Sequence, residues 1–263
     1  GVSIETDLDW RPGRGATSHA VYFGADEAAV TGGTAAAKTV ADHTYTPSSL
    51  DFATEYFWRV DETGDTGAYA GEVWSFTTEE FAAIDNFESY DDDIEAETTI
   101  WHAWIDGLTN GTGSYVGYEN AKNGTFAETV VVHGGSQSMP LTYDNTKSPY
   151  YSEVELAFAS AQNWTASGAD TLSLYFQGVA TNSSESLYVT VKDNSKSATV
   201  THSNAAATQV AEWQQWKIPL SDFTAGGVKV TAVKALAIGV GNKTAAGTGV
   251  VYFDDIGYGR PVQ

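Results

Sequence analysis

A chain of 263 residues that is 42% hydrophobic and 13% aromatic carries enough apolar surface for one large core or two smaller ones, which excludes a disordered polymer. Its 34 acidic residues against 13 basic ones give a formal charge of −21, which argues against nucleic acid, anionic membranes and polyanionic glycans as partners. The absence of cysteine removes disulfides, thiol catalysis and thiolate metal sites, and no run approaches the roughly 18 apolar residues of a membrane helix, so no membrane insertion is expected.

Gly1-Val2-Ser3-Ile4 enters strand-like sequence at once, without a leader, as in a mature or excised segment. From there Thr, Val, Tyr, Phe and Trp alternate with small or polar residues, and Gly, Asn, Asp and Ser clusters interrupt about every 8 to 12 residues. This pattern predicts an all-β fold. One run, residues 28–38, has helical character, but Gly32-Gly33 breaks it, so it is expected to be a loop with at most one turn of helix. A boundary falls near Thr77-Thr78-Glu79-Glu80, dividing the chain into domains 1–79 and 80–263.

In the first segment Leu8-x-Trp10, Tyr22-x-x-x-Asp26, Tyr56-x-Trp58-Arg59-Val60 and Trp74-Ser75-Phe76-Thr77-Thr78 follow one another in strand-sized pieces. This set resembles a fibronectin type III domain of bacterial extracellular proteins. The resemblance implies a β-sandwich with Trp10 and Trp58 in its core. Such domains begin with an edge strand, for which only residues 1–5 are available here. That strand is short, missing or supplied by another chain, and an open edge invites self-association through strand addition.

The second segment has readable faces. Leu172, Leu174 and Phe176 alternate with Ser173, Tyr175 and Gln177; Leu187, Val189 and Val191 alternate with Tyr188, Thr190 and Lys192. The apolar set of each strand is predicted to face inward. Ala237, Gly239 and Gly241 form a small-residue stripe on an outer face, a floor beside which Tyr175, Tyr188, Gln177, Thr190 and Lys192 would stand. Flat rings stack on the C–H faces of pyranoses, and neighbouring polar groups fix the hydroxyls. Tyr175, Tyr188 and Gln177 are therefore candidate ligand contacts, with Tyr150 and Tyr151 in the loop before Ser152-Glu153-Val154. Trp101 and Trp104 are expected in the core.

Asp85-Asn86-Phe87-Glu88, the stretch from Ser136 through Tyr143, Trp213-Gln214-Gln215-Trp216-Lys217-Ile218-Pro219-Leu220 and the closing Val251-Tyr252-Phe253-Asp254-Asp255-Ile256 resemble the jelly-roll, galactose-binding-like carbohydrate-binding modules, particularly those that bind β-glucans. The resemblance implies a C-terminal β-jelly-roll sandwich, an extracellular or cell-surface location, a polysaccharide partner and a structural calcium. Carried onto this sequence, the calcium ligands are Glu88 from the first strand and Asp254 from the closing strand, with Asp85 as a further candidate; calcium takes 6–8 oxygens, so loop carbonyls would complete the shell. The chain departs from the β-glucan group on the penultimate strand, where Ala237 and Val240 stand in place of His and Tyr.

Catalysis finds little support. His19, His43, His102, His133 and His202 are scattered without metal-ligand spacing, and neither a nucleophile elbow nor a phosphate loop occurs. Tyr90-Asp91-Asp92-Asp93 reads as a solvated acidic loop, and the sequons at Asn110, Asn123, Asn163, Asn182 and Asn242 as products of a Thr- and Asn-rich composition. The expected function is a non-catalytic, polysaccharide-binding pair of modules. The alternative is a structural cell-surface or filament subunit built from sandwiches, for which acidity and an open edge are the motives.

Overall fold

Residues with a two-residue period of burial hold most of the chain extended, and the protein is all-β apart from a few short helical turns. The computed structural model describes residues 1–65, 67–118 and 125–262; the sequon at Asn123 lies outside them. Contacts divide the chain into two units: Gly1–Ala82 with Ser167–Ala169 and Gly259–Gln263, and Ala83–Ala166 with Asp170–Tyr258. No helix among the described residues is long and apolar enough to cross a membrane.

In the first unit, β1 (Leu8–Asp9) pairs with β4 (Thr44–Tyr45), while β2 (Ala16–Gly24), β3 (Ala37–Val40), β5 (Glu55–Gly64), β6 (Gly67–Tyr69) and β7 (Val73–Thr77) form a sheet with β5 at its centre. Trp10, Val21 and Val60 are buried together, as expected for Trp10, while Trp58 is only partly buried and packs against them. The 28–38 run contains more than a loop. Asp26 caps a five-residue helix, α1 (Glu27–Thr31), by accepting from the amides of Ala28 and Ala29, and Ala37 then begins β3. The strand escapes sequence reading because all its side chains are at least partly solvated, so no burial period marks it. Val2 makes a single parallel bridge to Thr78, just after β7.

The second unit holds two sheets. One runs β10 (Ser114–Val116), β11 (Met139–Asp144), β18 (Thr248–Gly259), β13 (Thr171–Gln177) and β16 (Gln214–Pro219), with β8 (Phe81–Asp85) also on β18. The other runs β15 (Ser197–Thr201), β14 (Leu187–Lys192), β17 (Val233–Gly241), β12 (Tyr151–Gln162) and β9 (Trp104–Ile105). Leu172, Leu174 and Phe176 of the first sheet and Leu187, Val189, Val191, Ile238 and Val240 of the second are all in the core. The predicted inward faces therefore hold on both sheets. Val240 belongs to this inward set, whereas Ala237 lies in register with Thr190 and Glu155 on the outer face.

Trp104 is fully buried and donates its indole N–H to Asp85. Trp101 is only half-buried, with Phe126 edge-on to its ring at 4.5 Å.

Candidate functional site

The second sheet presents a groove on its outer face. Antiparallel register sets its residues in rows across the strands: Thr201, Tyr188, Gly239 and Glu153 in one, Thr199, Thr190, Ala237 and Glu155 in the next, and Ser197, Lys192 and Ala235 in a third. The central β17 supplies only Gly or Ala to these rows, so side chains of the flanking strands have room to lie across it. The groove encloses about 450 Å³, within the range of small-ligand sites. Tyr151, Asn242 and Lys243 close one end.

Its polar groups are held in place. The Tyr188 hydroxyl donates to Glu153 Oε2 at 3.0 Å, and burial, followed by the Glu153 charge, pushes the phenol's pKa well above its ordinary value. Lys192 Nζ donates to Glu155 Oε2 and lies 3.9 Å from Glu153 Oε1. Lys243 Nζ sits 5.2 Å from the centre of the Tyr151 ring. Aromatic surface, hydroxyls, the Glu153 carboxylate and the ammoniums of Lys192 and Lys243 thus converge on one concavity. Such a set exchanges hydrogen bonds with a neutral polyol and offers rings to its C–H faces.

Of the five predicted contacts, Tyr188 and Tyr151 line this groove. Tyr150 belongs to the turn before β12, where its amide donates to Lys147 O at 2.8 Å. Tyr175 and Gln177 face outward as predicted, but from β13, on the opposite sheet. They cannot share a floor with Tyr188, because the core lies between the two sheets. The Tyr175 ring is moreover covered: His133 stacks on it with centroids 3.6 Å apart, and Trp213 meets His133 edge-on. Sequence reading passed over Glu153, Glu155, Thr199 and Thr201. The alternation of Ser152, Val154 and Leu156 with the two glutamates in β12 signals outward acids, but only pairing with β17 shows what they face.

The predicted metal ligands lie elsewhere in this unit. Asp254 is fully buried; its Oδ2 accepts from the amides of His133 and Gly134 at 2.9 and 3.2 Å, and its Oδ1 from Asp255 N at 2.8 Å. Glu88 Oε1 accepts from Ser136 N and Gln137 N at 2.8 and 2.9 Å. The two acids, from opposite ends of the unit's sequence, thus grip a single segment, 133–137. Burial pushes the Asp254 carboxyl up to about 6, against the pull of its amide donors. The slight burial of Glu88 raises its pKa, but the two amides outweigh it and the net shift is downward.

Both acids are hard oxygen ligands converging on one segment, so they suit calcium in kind; the amides now supply the positive ends that a cation would supply. Asp85 does not suit it. Its Oδ1 accepts from Phe87 N at 2.8 Å, and its Oδ2 from Tyr90 Oη at 2.5 Å and Trp104 Nε1 at 2.8 Å, all within the protein interior. In the acidic run, Asp91, Asp92 and Asp93 accept from amides of the surrounding loops. Among the described residues no three His, Asp or Glu side chains gather as a metal centre.

A second cavity, of about 470 Å³, is lined by Trp101, Leu108, Tyr115 and Phe126 beside Ile94 and Asp106.

The sequence model of the family carbohydrate binding domain 30 matches residues 95–260, a span that contains the groove. Among solved structures, the family 11 carbohydrate-binding module of a cellulosomal cellulase of Clostridium thermocellum is similar at 16% identity, over 70% of this chain and 96% of its own, with a TM-score of 0.43. A family 30 carbohydrate-binding module of a cellulosomal cellulase from the same organism is similar at 18% identity, over 58% of this chain and 94% of its own, with a TM-score of 0.42. No curated protein sequence matches the chain.

Proposed function

The chain belongs to the carbohydrate binding domain 30 family, a non-catalytic binding family, and on that premise we propose that it binds a neutral polysaccharide in the groove over β14, β17 and β12. One observation carries the placement. On this outer face the Tyr188 ring lies low across Gly239 of β17 to reach Glu153, forming a floor with Thr190, Thr199, Thr201 and Lys192 around it. A sugar chain crossing the floor meets a ring for its apolar face and fixed donors and acceptors for its hydroxyls. Affinity for one site falls in the micromolar-to-millimolar range, about −8 to −4 kcal/mol. The strongly negative chain favours neutral over acidic glycans.

Affinity electrophoresis in gels containing soluble mixed-linkage β-1,3-1,4-glucan or xylan tests the placement. Retardation of the wild type, weakened about tenfold but still measurable in Tyr188→Ala and weakened in Lys192→Ala, is the expected result. Equal retardation of all three proteins would refute the groove.

The pairing of β1 with β4 and the packing of Val21, Val60 and Trp58 around Trp10 support a fibronectin type III-like first domain that spaces the binding module in an extracellular protein. Convergence of Glu88 and buried Asp254 on 133–137 supports a structural calcium held by those two residues, which would close the sandwich by offsetting the buried charge. A melting temperature raised by calcium and lowered again by chelator, with no response in Asp254→Ala, is expected; an identical melting curve with and without the ion counts against it.

A further inference from the structure

Gly239 is buried although its position faces outward, and the side chain that covers it is Tyr188. A Cβ at residue 239 would lie 2.1 Å from Tyr188 Cζ, 2.3 Å from its Oη and 2.6 Å from its Cε2. The backbone there does not require glycine, since residue 239 is not among the positive-φ positions. Glycine is needed for closeness. Tyr188 stands on β14 and Glu153 on β12, two strand spacings or about 9.6 Å apart. The phenol reaches the carboxylate only by lying across β17, over the one residue in the row without a side chain. The neighbouring row is an internal control. There β17 offers Ala237, and the β14 residue is Thr190, which turns its hydroxyl to Thr199 at 2.8 Å on the other side.

Building on the groove reading above, we infer that Gly239 is a positioning residue for the glycan site: without touching the ligand's polar groups, it sets the height and direction of the Tyr188 ring and so makes that ring part of the floor. Covering a strand glycine with a cross-strand aromatic also stabilises sheets, so the test must read binding and not only folding.

Gly239→Ala lifts the ring and breaks the hydroxyl's bond to Glu153. Retardation by mixed-linkage β-1,3-1,4-glucan or xylan should weaken about tenfold, the weight of one aromatic contact, while the protein stays folded, because alanine fits a strand backbone. In the Tyr188→Ala background the same substitution should change affinity no further. In the wild type, the Gly239 Hα resonances should lie upfield from the ring current of Tyr188, return to ordinary positions in Tyr188→Ala, and shift in a saturable way on titration with the glucan. This last measurement serves even where Gly239→Ala fails to fold.

Wild-type affinity in Gly239→Ala, an equal loss in both backgrounds, or Hα resonances insensitive to Tyr188 would each overturn the inference. Tyr188→Ala and Lys192→Ala both binding as wild type would instead remove the groove reading, and the inference with it; loss in Tyr188→Ala alongside full binding in Gly239→Ala removes the inference alone.

Discussion

Asp85 is the sharpest test of how the first strand of the binding unit is anchored. Its side chain is nearly inaccessible and accepts three hydrogen bonds, from Phe87 N, Tyr90 Oη and Trp104 Nε1. Two of those donors matter beyond their own bonds. The Phe87 amide belongs to a fully buried residue held at φ 61°, a conformation costly for a bulky side chain, and Trp104 is itself fully buried. In Asp85→Ala the indole N–H and the Phe87 amide lose their acceptor without reaching water. Each orphaned donor costs about 1–3 kcal/mol, and the carboxylate's bonds are of the stronger, charge-assisted kind. The sum is about 3–6 kcal/mol, a large share of the 5–15 kcal/mol typical of a folded protein.

Asp85→Asn separates the parts. Its oxygen can still serve Phe87 and its amide can donate to the Tyr90 oxygen, but the Trp104 N–H faces a donor, so about 1–3 kcal/mol should be lost. Urea denaturation followed by tryptophan fluorescence measures both variants. In the Asp85→Ala background, Trp104→Phe should cost less than it does in wild type, since the orphaned N–H leaves with the indole. A loss below about 1 kcal/mol in Asp85→Ala would refute the hub, as would additivity of the two substitutions.

Three further outcomes follow from the geometry. The raised carboxyl of Asp254 makes the folded state bind a proton more tightly than the unfolded chain, so its contribution is present below about pH 4 and is lost as pH rises to about 6; relative to Asp254→Asn, the wild type should lose on the order of 2–3 kcal/mol across that window in chelator. Melting curves at stepped pH measure this, and a flat difference contradicts it; with calcium held by Asp254, the window should move to lower pH. Tyr175→Ala should leave glycan retardation unchanged, because His133 already covers that ring on the other sheet, while lowering the melting temperature by the loss of the stack; reduced retardation would place ligand on the wrong face for the groove. In the first unit, Asp26→Ala should cost about 1 kcal/mol by uncapping α1, read as a lower urea midpoint with an unchanged slope.

What the sequence determines by itself is local and periodic. Alternation alone assigns Leu172, Leu174 and Phe176, and likewise Leu187, Val189 and Val191, to the core, because a strand repeats every two residues and the apolar set must leave water. It also marks Tyr188, Thr190 and Lys192 as outward, all three of which line the groove, and Ala237 and Gly239 as the small-residue stripe in register beside Thr190 and Tyr188. Periodicity stops at the strand's own two faces. Tyr175 and Tyr188 have the same local signature, yet β13 pairs with β16 in one sheet and β14 with β15 and β17 in the other, a choice made by long-range pairing that no short window contains.

The same limit governs the acids. Glu88 and Asp254 announce themselves as ends of one sandwich, but that both grip segment 133–137, and that Asp85 turns inward to an indole, was decided by the packing. Only the tertiary structure brings Glu153 beneath the Tyr188 hydroxyl, because two residues 35 apart in sequence become neighbours when a strand carrying glycine lies between them.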